Sequence, residues 1–363
     1  MIVLKRLPLI ALLLLLPARA VRAQEFAAEA EALMTTQVEQ ENFSGVVLVA
    51  QDGKIIYEQG YGLANREWTI PNRPDTRFRI ASLTKQFTAA GILLLQQQHH
   101  LSVQDKISIY LADLPVGWRD ITIHQLLTHT SGLPSYTETP QIERLNLLGA
   151  TPRQLIDLVK DSPLQFPPGS KFTYCNTGYV LLGMILEKVS GQSYGDFLQK
   201  NIFGPLQLED TGYDWPDRIL PKRASGYELQ KDTWIGSPQV DISIPFAAGG
   251  LFSTVGDLFR WSQALLSDRL LTAKSRDEMF HIYPEALGPG GQHYGYGMVL
   301  TERFGQPEWY HGGGIRGFAT AIRIYPKDRV CVVVLSNVDS VKSWDVAIQL
   351  SSLVLNKQPA VVK

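Results

Sequence analysis

Ser82 and Lys85 lie three residues apart, and their side chains are those of a nucleophile and its base. The residues after Ser82 favour a helix, in which side chains three positions apart share a face, with Cβ atoms about 5–6 Å apart. A serine hydroxyl attacks poorly until a base removes its proton, and lysine can be that base once burial or nearby cations lower its pKa. The pair therefore indicates acyl transfer. In this composition, about one such spacing is expected by chance, as a helix N-cap followed by a solvated lysine.

A second candidate pair is Tyr174 and Asn176, which form the only Tyr-x-Asn sequence in the chain. They lie on a loop that runs into a predicted helix, where a phenol and an amide separated by one residue can point the same way. Tyr174 would carry a proton if a nearby ammonium lowered its pKa, and Asn176 would hold a substrate carbonyl by hydrogen bonding. The alternative is a buried tyrosine followed by an asparagine that caps the helix.

A third element, His311-Gly312-Gly313-Gly314, precedes a predicted strand that begins at Phe318. Glycines at such a position allow a substrate to approach the strand edge, and the backbone N–H of Gly314 would point at a developing oxyanion. The same spacing recurs at residues 293–295, but there it lies in a glycine-rich loop and does not open a hairpin, so His311 is favoured.

Strand patterns at both ends of the chain enclose a helical middle. Two hairpins are predicted, one turning at Asp52-Gly53 and one at residues 326–328. Helical periodicity lies between them. We expect residues 24–100 and 233–357 to form a discontinuous α/β domain around an antiparallel sheet, and residues 101–232 an inserted helical domain. The predicted helices span residues 26–40, 121–128, 152–160, 178–189 and 343–355.

Taken in order, the three elements resemble the motifs of the serine β-lactamase and penicillin-binding-protein superfamily, in its class C β-lactamase-like branch. The resemblance covers about residues 30–355 and implies a β-lactamase/transpeptidase-like fold, with an antiparallel sheet flanked by terminal helices and an inserted helical domain. Flanking segments carry the same resemblance: residues 78–81, 126–134, 179–183 and 248–254, with Asp257.

The resemblance also implies roles. Lys85, with Tyr174, would remove the Ser82 proton, and the N–H groups of Ser82 and Gly314 would stabilise the oxyanion. Tyr174 would then protonate the leaving group and activate the hydrolytic water. In this superfamily the third motif normally begins with a lysine that helps bind the substrate carboxylate. His311 replaces it here, which favours an esterase or peptidase over an efficient β-lactamase.

Arg316 is a candidate for the missing positive charge, because it follows on the same glycine turn. A surface arginine is the alternative interpretation.

Two other patterns suggest different nucleophile arrangements. Residues 191–195 match the G-x-S-x-G of a nucleophile elbow, but an elbow needs a preceding strand and here a helix precedes it. We expect Gly191 to end that helix and Ser193 to cap the next. His129 is expected to be structural, bonded within the turn of residues 128–134, rather than part of a Ser-His-Asp arrangement.

The N-terminus predicts export. Lys5 and Arg6 precede an apolar run, and Ala18 to Ala23 provide a small-residue cleavage site, so residues 1–23 are predicted to be a signal peptide. The run is too short for a stable membrane span, and the mature protein is expected in the periplasm or secreted. Cleavage removes four positive charges and leaves the chain mildly acidic.

Composition argues against several classes of partner and cofactor. No basic cluster remains to bind nucleic acid. Neither C-x-x-C nor H-E-x-x-H occurs, so no metal site or cofactor is predicted. Cys175 lies in a turn and Cys331 within a strand, and both are expected to be unpaired.

We therefore expect an exported serine hydrolase that forms an acyl-enzyme on an ester or amide. Its substrate would be a small molecule or peptide-like compound. The leading alternative is a penicillin-binding sensor or scaffold that acylates slowly without turnover.

Overall fold

The computed structural model describes the backbone of residues 18–357 and the side chains of residues 24–357. Strands near both ends of this part of the chain flank a middle built mainly of short helices. The helices are α1 Ala18–Glu41, α2 Thr84–Gln97, α3 Ile123–Leu127, α4 Ile142–Leu148, α5 Pro152–Asp157, α6 Asn176–Ser190, α7 Tyr194–Leu198, α8 Gly204–Leu206, α9 Phe246–Gly249, α10 Val255–Leu265, α11 Ala273–Met279 and α12 Ser343–Val354.

The strands form one large antiparallel sheet and three small ones. They are β1 Gly45–Gln51, β2 Lys54–Tyr61, β3 Leu63–Asn65, β4 Ile70–Pro71, β5 Phe78–Arg79, β6 Gly212–Tyr213, β7 Tyr227–Gln230, β8 Thr233–Gly236, β9 Leu251–Ser253, β10 His293–Tyr294, β11 Val299–Arg303, β12 Gln306–Ile315, β13 Phe318–Tyr325 and β14 Val330–Ser336. The large sheet has the order β10-β11-β12-β13-β14-β1-β2, so its two halves come from opposite ends of the chain.

Both predicted hairpins of the sheet are confirmed. Asp52 and Gly53 have φ of 51° and 74°, the positive values that a tight turn matched to strand twist requires. Strands β13 and β14 are joined through Pro326 to Arg329 and are buried along their whole length. Helices cover both faces of this sheet, and its central strands therefore read as continuous apolar runs.

Alternate side chains of the central strands enter two different cores. Val47 and Val49 pack with Met34 of α1 and Leu350 of α12 on one face. Residues of the opposite parity, such as Leu48, pack on the other face with α2, α6 and α10. The second core extends into the helical region without interruption, where α2 packs against α6.

The predicted helices form, with shifted ends. The segment 121–128 shortens to α3 because Thr122 caps it, accepting a hydrogen bond from the Gln125 N–H. The helix predicted at residues 152–160 is α5, which ends earlier, at Asp157. The helix predicted at residues 178–189 is α6, which is longer and spans Asn176–Ser190.

The two expectations for residues 191–195 are also confirmed. Gly191 ends α6 with φ of 67°, and Ser193 accepts a hydrogen bond from the Asp196 N–H to cap α7. Both cysteines are buried and free.

Two boundaries predicted from sequence can be located in the structure. Most of the predicted signal peptide, residues 1–17, lies outside the described residues, and residues 18–23 are the first turns of α1. Among the side chains of α1 that the structure describes, the first buried one is Phe26, downstream of the predicted cleavage site. The predicted domain boundary at residues 232–233 falls at the turn of the β7–β8 hairpin. Within the described residues, no helix is long and apolar enough to cross a membrane.

A buried charge cluster links β12 to β13 at the end of these strands that lies away from Gly312 to Gly314. The Glu308 carboxylate has no exposed surface, forms ion pairs with Arg323 and Arg303, and accepts a hydrogen bond from the Tyr325 hydroxyl at 2.6 Å. The Arg323 side chain is only 1% exposed, so the Glu308 carboxylate compensates a positive charge that water cannot reach.

Glu308→Ala is expected to lower the free energy of unfolding by about 3–5 kcal/mol, because it leaves the Arg323 guanidinium buried without its carboxylate. Urea denaturation followed by circular dichroism measures the loss. Glu302→Ala is the matched control on neighbouring β11, where the side chain is exposed, and it should change stability by less than about 0.5 kcal/mol. Equal stability of the two variants would contradict the assigned role of the cluster.

Candidate active site

Ser82 lies on a single 3-10 turn, Ala81–Leu83, that leads into α2. The turn is fastened on two sides: the Ile80 N–H donates to the Leu251 carbonyl at 3.0 Å, and the Ile80 carbonyl accepts from the Thr320 hydroxyl at 3.1 Å. Ala81 has φ of 48°, a left-handed conformation that is rare for a residue with a Cβ. Strain of this kind persists only where surrounding structure imposes it, and it is common at functional sites. Ser82 itself remains partly exposed.

Lys85 lies one helical turn beyond Ser82 and has no exposed surface. Its Nζ lies 3.1 Å from Ser82 Oγ, 2.9 Å from Asn176 Oδ1 and 2.8 Å from the Ala248 carbonyl. The two carbonyl oxygens accept only, so they take two N–H bonds from the amine. The third tetrahedral position of Nζ then faces Ser82, as an N–H in the ammonium and as a lone pair in the neutral amine.

Burial lowers the pKa of Lys85 from its ordinary value of 10.5 to about 7. At neutral pH a large fraction of the amine is therefore uncharged, with its lone pair directed at the serine hydroxyl. This arrangement meets the geometric and acid–base requirements of a general base.

The Ala248 carbonyl that binds Lys85 belongs to the short helix α9. Phe246, the first residue of α9, has φ of 38°, another rare conformation for a bulky side chain. The turn after α3 has a third such residue at His129, with φ of 59°. Three left-handed residues thus lie on three elements around one lysine.

Tyr174 lies over Lys85, with Nζ 4.8 Å from the centre of the phenol ring. Its loop is fixed by His129, whose carbonyl accepts from the Thr173 N–H at 2.9 Å and whose Nδ1 accepts from the Cys175 N–H at 3.1 Å. The expectation that the pKa of Tyr174 is lowered is not supported: burial raises it above its ordinary value of 10.0, against the opposing effect of a hydrogen bond with Ser82. Tyr174 is therefore a protonated phenol at neutral pH.

Asn176 is the first residue of α6, whereas the N-cap position is occupied by Cys175. The alternative in which Asn176 caps the helix is therefore wrong. Its Oδ1 accepts from Lys85, and its amide nitrogen donates to the Thr137 hydroxyl at 3.3 Å. The side chain orients the lysine and also reaches the cleft.

His311 is buried, and its Nε2 lies 2.8 Å from the Tyr294 hydroxyl, with Nδ1 2.6 Å from the Gly312 carbonyl. Burial, with a smaller effect of Lys85, lowers the pKa of His311 to about 3, so the ring is neutral at physiological pH. The side chain does not line the cleft. His311 is thus bonded to Tyr294, and its ring centre lies 6.3 Å from that of Tyr174.

The three glycines after His311 have different neighbours. A Cβ at Gly312 would lie 2.0 Å from the Trp344 indole, and one at Gly313 would lie 2.5 Å from the Ile80 carbonyl beside the serine turn. At Gly314 a Cβ would meet nothing within 4 Å, because this residue faces the cleft. Gly313 thus permits the close approach of β12 to Ser82, and Gly314 opens the strand edge to a ligand.

Two residues of the site were not identified from sequence. His129 was expected to bond within its own turn, but its side chain is bonded to the Tyr174 loop. Its buried Nε2 has no hydrogen-bond partner among the described residues. Tyr294 comes from the rejected H-x-G at residues 293–295 and packs on His129 with ring centres 4.5 Å apart. The second H-x-G was thus a signal for the site, carried by its tyrosine.

A cleft of about 230 Å³ opens beside Ser82, between the serine turn, the β12 edge and the helical region. Its lining combines apolar and polar residues. The lining residues are Ala81, Ser82, Tyr136, Thr137, Ile142, Glu143, Asn146, Asn176, Val240, Ile244, Pro245, Ala248, Gly249, Gly314, Ile315 and Arg316. Arg316 thus lies at the cleft, where it forms an ion pair with Glu143 of α4. Within the described residues, no group of His, Cys, Asp or Glu is arranged to hold a metal ion.

Sequence comparison shows which known proteins this chain resembles. A protein-family model described as Beta-lactamase matches residues 30–354. The chain is 32% identical to Penicillin-binding protein 4* of Bacillus subtilis over 338 residues, which cover 88% of this chain and 73% of that protein.

Solved structures of related proteins have a similar fold. The penicillin-binding protein of Bacillus halodurans superimposes with a TM-score of 0.79 at 29% identity, covering 88% of this chain and 98% of that one. The D-amino acid amidase of Ochrobactrum anthropi superimposes with a TM-score of 0.78 at 26% identity, covering 93% and 99%.

The lowered pKa of Lys85 predicts how Ser82 reactivity depends on pH. Protonation of Lys85 removes the lone pair that faces Ser82, so the rate of labelling by a fluorophosphonate should fall about tenfold per pH unit below the lysine pKa of about 7 and level off above it. Intact mass spectrometry across about pH 5 to 9 measures this rate, with Ser82→Ala as the reagent control. A rate that does not change below neutral pH would exclude Lys85 as the base.

Proposed function

The chain belongs to the Beta-lactamase family, and on this premise we propose that it is a serine hydrolase that cleaves an ester or amide through an acyl-enzyme on Ser82. One observation carries the proposal. The buried Lys85 amine, held by two carbonyl oxygens, has its remaining position directed at Ser82 Oγ, at a distance of 3.1 Å. A buried lysine with its pKa lowered to about 7, beside a partly exposed serine, is typical of a functional site.

In the proposed acylation step, neutral Lys85 takes the Ser82 proton as Oγ attacks the substrate carbonyl carbon. The carbonyl π electrons move to oxygen, and the N–H groups of Ser82 and Gly314 stabilise this oxyanion. One such donor typically contributes about 3–4 kcal/mol in the transition state. Both groups belong to residues that line the cleft, so a carbonyl can enter between them.

Collapse of the tetrahedral intermediate breaks the bond to the leaving group, which takes a proton from the Tyr174 phenol. Lys85, now an ammonium beside the Tyr174 ring, then returns its proton to the phenolate, which restores both side chains. Water then attacks the acyl-enzyme by the reverse sequence of proton transfers, which releases the acid and restores Ser82.

One observation favours ester or amide cleavage over efficient β-lactam turnover. His311 is neutral at physiological pH, so it supplies no cation for a substrate carboxylate. The names of the relatives include a D-amino acid amidase as well as penicillin-binding proteins, and both kinds of name are compatible with acyl transfer to a serine.

We also propose that the protein is exported to the periplasm or secreted. The N-terminal charge and apolar pattern supports this proposal. Cleavage after Ala23 would retain Phe26, Ala30 and Met34, which are buried side chains of α1.

Variants of the nucleophile and base test the proposal. Ser82→Ala and Lys85→Ala should lower hydrolysis of p-nitrophenyl butyrate by at least about 10²–10⁴-fold, because each removes a partner of the proton transfer. Lys171→Ala is the matched control, since this lysine is exposed on the same loop as Tyr174. Intact mass spectrometry with labelled penicillin provides a second measurement. A persistent Ser82 adduct without product release would favour the sensor alternative, and full activity of Ser82→Ala would refute serine chemistry.

The role of Tyr174 predicts a dependence on leaving group. An amine must be protonated as it departs, whereas p-nitrophenolate leaves readily without a proton. Tyr174→Phe should therefore lower kcat/KM for an amide by about 10²-fold or more while lowering it less than about tenfold for the p-nitrophenyl ester with the same acyl group. Equal losses on both substrates would show that Tyr174 positions the loop and does not transfer the proton.

A further inference from the structure

The cleft beside Ser82 has one positive and one negative side chain in its lining, and they bind each other. Arg316 comes from the turn between β12 and β13, and Glu143 from the first turn of α4. Their guanidinium and carboxylate groups form an ion pair across the cleft. Among the described residues that line the cleft, these are the only formally charged side chains at neutral pH.

The two partners are held differently. Arg316 precedes Gly317, whose N–H donates to the Asp339 carboxylate at 3.1 Å and whose φ is 75°, so the arginine extends from an anchored turn. Helix α4 contains no buried residue, and the Glu143 side chain is 66% exposed, against 32% for Arg316. Glu143 is thus the partner that can leave the ion pair at low cost.

A carboxylate tethered in this way acts as a competitor for any anion that enters the cleft. Because it is part of the same chain, its effective concentration at Arg316 is of the order of millimolar or higher. An anionic substrate group must displace Glu143 before it can bind Arg316, and the displaced carboxylate then repels it. An uncharged group pays neither cost.

We propose that Glu143 is a specificity-determining residue that occupies Arg316 and biases the cleft against acyl groups that carry a carboxylate. The inference rests on the proposed serine hydrolase function and concerns only which acyl group the cleft accepts. It assigns Arg316 a role that depends on its partner: while Glu143 is bound the cleft is neutral overall, and once Glu143 is removed the cleft has a free guanidinium.

The experiment compares two p-nitrophenyl esters of similar length, the neutral valerate and the anionic hemiglutarate. The measured quantity is the ratio of kcat/KM for the anionic ester to that for the neutral ester. Glu143→Gln keeps the side-chain volume and removes the charge, and it should raise this ratio about fivefold or more, as expected for one partly exposed charge interaction. The gain should appear mainly in KM, because the interaction is with a remote group of the substrate.

Two further variants separate this effect from a general change of charge. Glu138→Gln removes the same charge from an exposed position five residues away that does not line the cleft, and its ratio should equal that of the wild type. The double variant Glu143→Gln with Arg316→Gln should lose the gain, because no guanidinium remains for the anionic ester to bind.

Each outcome decides the inference. A ratio in Glu143→Gln that equals that of wild type or Glu138→Gln overturns it, as does a gain that survives in the double variant. If the neutral ester is hydrolysed and the ratio does not move, only this inference fails. If neither ester acylates Ser82, as judged by intact mass, the proposed function fails and the inference fails with it.

Discussion

The burial of the Lys85 amine is the constraint on which the rest of the site depends. An ammonium without access to water is costly, and the protein accommodates this group by satisfying it with carbonyl oxygens and by lowering its pKa to about 7. Those oxygens come from Asn176 and Ala248, on two elements distant in sequence from α2. The lysine therefore holds α2, α6 and α9 together, and its burial among them lowers the pKa as the proposed base requires.

Aromatic and imidazole groups form the back wall of this site, and their burial determines their charge. His129 and His311 are both kept neutral, since burial and the proximity of Lys85 lower the pKa of each ring below its ordinary value. Burial also keeps Tyr174 protonated. In this environment Lys85 is the group whose pKa lies near neutral pH, and the tyrosine is a proton donor that contacts it. The sequence resemblance implied that the lysine and the tyrosine share the role of base. The structure favours the lysine alone for that role.

The cleft in front of Ser82 combines an anchored turn with an exposed helix. On the strand side, Gly313 allows β12 to approach the serine turn, and Gly314 leaves the strand edge open. On the helical side, α4 contributes Glu143 from a helix with no buried residue. The proposed chemistry thus depends on an anchored turn, and the proposed selectivity depends on a helix with no buried residue, so selectivity can vary without disturbing the nucleophile.

Much of the fold was predictable because its signals are local. The Asp52-Gly53 turn, the apolar runs of β13 and β14 and the capping residues of the helices all act within a few residues, and the structure contains them where the sequence placed them. The serine and lysine could be named from spacing because a helix fixes their separation. The tertiary structure alone decided which groups surround that pair: the carbonyl of Ala248, the ring of Tyr294 and the carboxylate of Glu143. Contacts between segments far apart in the chain, and the pKa values that burial imposes, have no local pattern, because they depend on how the sheet and the helices close around the lysine.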